Sequence, residues 1–183
     1  MSYALMAIFA VLIVAADQFT KYLTVVNIAP SSSAAFIEKL CSGYSIDPER
    51  YAQLPTNIPV IPKLFSLSHI HNDGGAWGMF DGAIWLFVVI FALFAVFMIW
   101  EFSKKRMPFT TFERFCMVAI FAGGLGNIID RIRFGFVIDM IQTDFVNFPI
   151  FNVADIFITG GCIFLILHLV LFNKEFWKDD KKQ

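Results

Sequence analysis

Between Gly126 and Asp155 the chain reads GNIIDRIRFGFVIDMIQTDFVNFPIFNVAD, and this stretch lies between two long apolar runs. It holds Asp130, Asp139, Asp144 and Asp155, with Asn127, Arg131, Arg133 and Asn152 among them. Ionisable groups at the edge of a bilayer cost free energy, so they are read first as functional. Asp139 is the single carboxylate in the apolar, β-favouring run Phe134–Ile141. Asp155 sits between Ala154 and Ile156, where the last apolar run begins. Acids in such surroundings lose hydration, which raises their pKa, and two of them close together hold one proton between them. The ionised member of such a pair can take a proton from water while the protonated member donates to a carbonyl oxygen. The expectation is that Asp139 and Asp155 face each other as the catalytic pair of an intramembrane aspartyl protease. Proton or cation transport is the competing use of buried acids. Plainer roles also exist: Asp130 could pair with Arg131 at a helix end, and Asp155 could simply cap a helix.

Other groups with chemistry are sparse. Asp17 and Lys21 are four residues apart, so one helix face can carry both as a pair. Lys21 could instead snorkel to the interface, whereas Asp17 could stand at the mouth of a site and orient other groups. The glycines of Asn72-Asp73-Gly74-Gly75 allow a ligand to approach the backbone closely. His69 and His71 alternate along an extended segment without an obvious third ligand, so no metal site is expected. Cys41, Cys116 and Cys162 form no zinc spacing, and the histidines have no nucleophile partner in the acidic stretch.

The elements that must position these residues are written in the apolar runs. Of 183 residues, 58% are hydrophobic and 16% charged, and the mean hydropathy is +0.69. The charged share of ordinary soluble domains is about 25%, so the chain reads as an integral membrane protein. A net charge of −1 without a basic stripe excludes a nucleic-acid partner. Four spans are expected, at about 2–28, 82–100, 110–130 and 155–173, in a single membrane domain. No Lys or Arg precedes the first run, which favours a retained helix over a cleaved signal peptide. Gly123, Gly124, Gly126 and the Gly160-Gly161 pair are expected to let helices pack closely.

Segment 29–63 is rich in turn residues and reads as aqueous loop with a short helix near Ala34–Leu40; Leu64–Ile70 reads as a strand. Trp77 suits an interfacial anchor. Lys and Arg concentrate in 101–114 and in the tail from Lys174. The positive-inside rule then makes 101–109 and 174–183 cytoplasmic, with both termini, and 29–81 and 131–154 extracytoplasmic. That topology brings Asp17, Asn72, Asn127, Asp139, Asn152 and Asp155 to one membrane surface.

Four stretches, taken together and in order, resemble the bacterial lipoprotein signal peptidase family (signal peptidase II). They are Asp17-Gln-Phe-Thr-Lys21; Asn72-Asp-Gly-Gly-Ala-Trp77; Gly126-Asn-Ile-Ile-Asp-Arg131 followed by Gly135-Phe-Val-Ile-Asp139; and Phe151-Asn-Val-Ala-Asp155. The resemblance implies an all-α membrane protein of four transmembrane helices, with a small extracytoplasmic β-rich cradle and a short amphipathic helix. It implies an aspartic endopeptidase of the bacterial cytoplasmic (inner) membrane, with its active site at the outer face. Its substrates would be diacylglyceryl prolipoproteins, cut just before the lipidated cysteine. Asp139 and Asp155 fall on the family's catalytic aspartates. Asn127, Asp130, Arg131, Asn152 and Ala154 fall on site-shaping positions, and Asp17 and Asn72 on positions lining the site. Lys21 and Gly74 belong to the matching motifs and count as site-shaping. No metal or cofactor is implied; the partners are substrate and membrane lipids, and the protein is expected to act as a monomer. An ion- or proton-coupled small membrane transporter using the same acids is the alternative. Segment 29–63 is longer than usual for the family, and Gly75 and Trp77 stand where Ala and Phe are commoner.

Overall fold

The structure, a computed structural model, describes residues 3–30, 34–44, 47, 49, 53–75, 83–104 and 107–177. The Ser31–Ser33 run, Pro48, Arg50, Trp77, Gly82, Lys105, Arg106 and the tail from Lys178 lie outside the described residues. Among those described, four helices are long and apolar enough to cross a membrane: α1 (Tyr3–Asn27), α3 (Ile84–Lys104), α4 (Thr111–Phe134) and α5 (Val153–Leu171). The shortest has 19 residues, about 28 Å at 1.5 Å per residue, close to the thickness of a hydrocarbon core. α1, α3 and α5 leave large apolar side chains such as Val11, Leu93 and Ile166 exposed, as lipid-facing surfaces require.

α4 is the hub, buried along most of its length against the other three. Its small residues permit this. A Cβ on Gly123 would lie 2.5 Å from the Ala154 carbonyl oxygen, and one on Gly126 would lie 2.5 Å from Asp17 Oδ2. α4 therefore touches the backbone at the head of α5 and the Asp17 side chain in the middle of α1. In the Gly160-Gly161 pair, Gly161 abuts Ile120 and the Cys116 carbonyl, whereas Gly160 faces open space.

The ends of α4 are set by local chemistry. Thr110 and Glu113 form a capping box at its start. The helix continues past the apolar run through Arg131 and Arg133 to Phe134 and stops at Gly135, which adopts φ 84°. The β-favouring run thus begins as helix, and strand β3 occupies Val137–Thr143.

β3 joins β1 (Asn57–Ile61) and β2 (Phe65–Asn72) in a three-stranded antiparallel sheet of order β1-β2-β3. Leu67 pairs with Ile58 on one side and Ile141 on the other; Ile70 pairs with Asp139, and Asn72 with Val137. β1 falls in the segment read as loop because Pro59 looks like a breaker. An edge strand tolerates a proline, which needs no ladder donor on its free side. The short helix is present as α2 (Ala34–Tyr44). Leu40 and Cys41 of α2 pack with Val25, Phe134, Phe136 and Ile138, joining α1, α4 and the sheet in one core.

A polar cluster lies at the opposite end of the bundle. Buried Glu113 accepts from Thr110 N (2.6 Å) and Asn173 Nδ2 (2.7 Å) and lies 2.8 Å from His168 Nδ1. Glu101, also buried, pairs with Arg114 at 2.8 Å and accepts from Met107 N.

Candidate active site

α1 brings Asp17 and Lys21 on one face into the gap between α4 and α5. Lys21 is fully buried; its ammonium lies 2.9 Å from Asp17 and 2.8 Å from Asp130, and donates to Asn127 Oδ1 at 3.0 Å. The snorkelling alternative for Lys21 is therefore wrong. Three neighbours supply the hydration that burial removes. Asp17 Oδ1 accepts from Ala154 N at 3.0 Å, which fixes the head of α5 on α1. Asp130 accepts from Ile138 N (3.2 Å) and so ties the end of α4 to β3. The plainer alternative for Asp130, a pair with Arg131, is not among the described ion pairs, because neighbours on a helix point in different directions. Arg131 instead donates to the Gly74 carbonyl at 2.7 Å and lies over the Phe87 ring at 4.3 Å.

Asp139 and Asp155 meet through Asn152. The Asn152 side-chain amide donates to Asp139 Oδ1 at 2.7 Å, and its backbone N–H donates to Asp155 Oδ2 at 3.0 Å. Asn72 donates to the other oxygen of Asp139 at 2.9 Å; Asn127 donates to Asp155 Oδ1 at 2.8 Å. Every described hydrogen bond to these two carboxylates thus comes from an amide, and neither forms an ion pair among the described residues. Burial pushes the Asp139 carboxyl up to about 7, with the nearby Asp155 charge adding to the effect and the Asn72 and Asn152 donors opposing it. The capping role anticipated for Asp155 is also real: it is the third helical residue of a capping box with Asn152.

Asn127 is held in one orientation by its neighbours. Its oxygen accepts from Lys21 and from Asn152 Nδ2 (3.0 Å), which leaves its amide nitrogen to face Asp155. Asn72 is fixed likewise, since its oxygen accepts from Gly74 N in an Asx-turn and its nitrogen points at Asp139. All eleven residues singled out in the sequence are thus linked in one network. Gln18 was missed as a participant. It donates to Asp17 (3.2 Å), Asp130 (3.0 Å) and the Gly126 carbonyl (3.2 Å). Its place between Asp17 and Lys21 was the available signal. Phe87 was missed without any signal, being one aromatic in an apolar run.

A groove of about 510 Å³ reaches this network between α3, α4 and α5, lined by Phe87, Phe91, Ile120, Gly124, Asn127 and Arg131 among others. His69 and His71 stand apart from it. His69 Nδ1 contacts the Ile28 carbonyl (2.9 Å), and the two Nε2 atoms are 3.1 Å apart. Burial lowers their pKa values to about 4 and about 3, so both rings are neutral.

Comparison with known proteins places this architecture. Two solved structures, each described as a bacterial membrane enzyme studied by the in meso method, are similar to it. One matches with a TM-score of 0.73 and 28% identity over 98% of this chain and 94% of that one; the other matches at 0.71 and 28% over 92% and 94%. By fold the chain falls among bacterial membrane enzymes. Residues 9–171 match the sequence model of a family described as Signal peptidase (SPase) II. The lipoprotein signal peptidase of Enterococcus faecalis is 36% identical over 89% of this chain and 86% of its own length. That of Lactococcus lactis subsp. lactis is 43% identical over 67% and 80%. The chain belongs to the signal peptidase II family. Membership makes it a multi-pass membrane peptidase and sets aside the transporter reading.

Proposed function

We propose that this protein removes signal peptides from diacylglyceryl-modified prolipoproteins, cutting before the lipidated cysteine, with Asp139 and Asp155 as an aspartic catalytic pair. The observation that carries this reading is the position of Asn152, which donates to one oxygen of each acid. Asp139, pushed up by burial, keeps the shared proton and donates it to the scissile carbonyl oxygen. Asp155, held by Asn127 and the Asn152 backbone N–H, takes a proton from the attacking water. The tetrahedral intermediate then collapses: Asp155 gives its proton to the leaving amine, and Asp139 takes one back from a hydroxyl of the gem-diol.

The other residues position this pair. Asn72, Asn127 and Asn152 orient the carboxylates. Asp17, Lys21, Asp130 and the Ala154 backbone lock α1, α4 and α5 at the site. Gly74 and Arg131 shape the loop above it. The protein sits in the bacterial inner membrane with both termini cytoplasmic, consistent with the Lys and Arg bias of its loops. It acts as a monomer without metal or cofactor.

The test is Asp139→Asn and Asp155→Asn, made separately and assayed on a diacylglyceryl prolipoprotein in detergent. Each abolishes cleavage while the protein keeps a cooperative thermal transition. Substantial cleavage by either folded variant removes the acid pair from the mechanism.

A further inference from the structure

A second cavity, outside the groove that holds Arg131, is lined in part by Met140, next to Asp139 on β3, and by Val153 at the head of α5. Its volume is about 250 Å³, and it lies between the outer half of α1 and the sheet. Leu23, Thr24 and Ile28 of α1 form one wall, and Ile58, Leu67 and Ile141 form another. The strand register places Ile58, Leu67 and Ile141 side by side across all three strands, so they make one apolar row. Ile141 is two residues from Asp139 on the same strand, hence on the same face. Val153, which follows Asn152 in the chain, also lines the cavity.

The polar groups of this cavity are turned inward on their own helix. Thr20 Oγ1 donates to the Ala16 carbonyl (2.9 Å), Thr24 Oγ1 to Thr20 (3.0 Å) and Asn27 Nδ2 to Leu23 (2.8 Å). Among the described residues, no ionisable side chain lines the cavity. A polar or peptide guest would leave its own donors unpaired there, whereas a hydrocarbon guest needs none. Apolar cavities of ~150 Å³ already hold a benzene-sized guest, so this one admits several methylenes. It also borders the lipid, because Leu23 and Tyr22 are exposed on α1.

We propose that this cavity, roofed by Ile58, Leu67 and Ile141, receives the glycerol-proximal part of an acyl chain carried by the substrate's lipidated cysteine. The inference rests on the peptidase reading above and adds a subsite to it. It assigns a role to segment 29–63: that segment supplies β1, and β1 supplies Ile58, the outer edge of the roof. The leader peptide then enters by the groove with Phe87 and Arg131, and the lipid leaves the scissile bond on the opposite side.

The test compares synthetic prolipopeptides whose cysteine carries a dibutyrylglyceryl or a dipalmitoylglyceryl group, cleaved by the full chain in bilayer nanodiscs. Wild type cleaves both; failure on both would indict the peptidase reading rather than the subsite. Ile58→Trp and Leu67→Trp fill the roof and are expected to lower kcat/KM for the dipalmitoyl substrate at least tenfold more than for the dibutyryl one, whose chains are too short to fill the cavity. Equal losses for the two substrates overturn the subsite. A diazirine placed on the acyl chain near the glycerol gives a second readout on the unmodified protein. It is expected to label Leu23, Ile58 or Leu67. Labelling of these residues by a diazirine phosphatidylcholine of the nanodisc, but not by the substrate, identifies the cavity as a bulk-lipid site and overturns the proposal.

Discussion

The two ends of the helical bundle carry buried acids in opposite states. At one end Glu113 meets His168 and Asn173, and Glu101 meets Arg114, so each acid has its own basic neighbour. At the other end Lys21 serves Asp17 and Asp130, and among the described residues Asp139 and Asp155 have amides as their only hydrogen-bond partners. Both ends link helices that the apolar runs alone would leave free to slide. A buried acid beside a base is a clasp, whereas an acid held by amides is free to exchange its proton in a reaction. The Glu113 clasp joins the beginning of α4 to the end of α5, and the Asp17–Lys21–Asp130 clasp joins α1 to the other end of α4. Between them they fix the level at which Asn127 meets Asp155.

The comparison can be broken in graded ways. The largest effect is expected at the amide-held acids, where Asn at 139 or 155 leaves less than about one part in 10³ of the cleavage rate. Next comes Lys21→Met, which strands Asp17 and Asp130 against each other. A loss of about 3–5 kcal/mol in unfolding free energy is expected. Adding Asp130→Asn should recover part of that stability by denaturant titration. It should not recover the cleavage rate, because Asn152 alone then turns the Asn127 amide toward Asp155 and the Lys21 donor is still missing. Recovery of both would reduce Lys21 to a structural counter-ion.

Glu113→Gln probes the other end. It should lower stability by about 1–3 kcal/mol and leave kcat unchanged below the melting transition. A kcat effect matching that of Lys21→Met would mean that the two ends are not functionally distinct.

The smallest effect is a gain. An unfolded Asp139 ionises near 3.8, and the folded carboxyl is pushed up to about 7. The native state therefore holds an extra proton in that window, and stability falls as pH rises from about 4 through about 7. Asp139→Asn removes this loss and should raise stability at pH 8 by about 1 kcal/mol. The gain is modest because an amide accepts from Asn72 and Asn152 through one oxygen only. A melting temperature that is independent of pH over this window in the wild type would contradict the raised carboxyl.

Much of this was readable in the residues themselves. Four uncharged runs demand four helices, since a bilayer offers backbone amides no other partners. The acids at the ends of those runs demanded partners or a function. The start of α5 was also legible, since Asp155 at the head of the last run can cap a helix; the apolar pattern puts the end of α4 near 130, short of the stop at Gly135. Pro59 misdirected the reading of β1 because strand position, edge or centre, is not a local property.

What only the tertiary structure decided is who meets whom. Lys21 faces Asp130, 109 positions away, and not the interface; Arg131 turns from its neighbour Asp130 to the Gly74 carbonyl. Helical spacing says which residues share a face, but the partner across the gap depends on how deeply two helices approach. That depth was set by Gly123 and Gly126, whose missing side chains let Ala154 and Asp17 come within contact of α4.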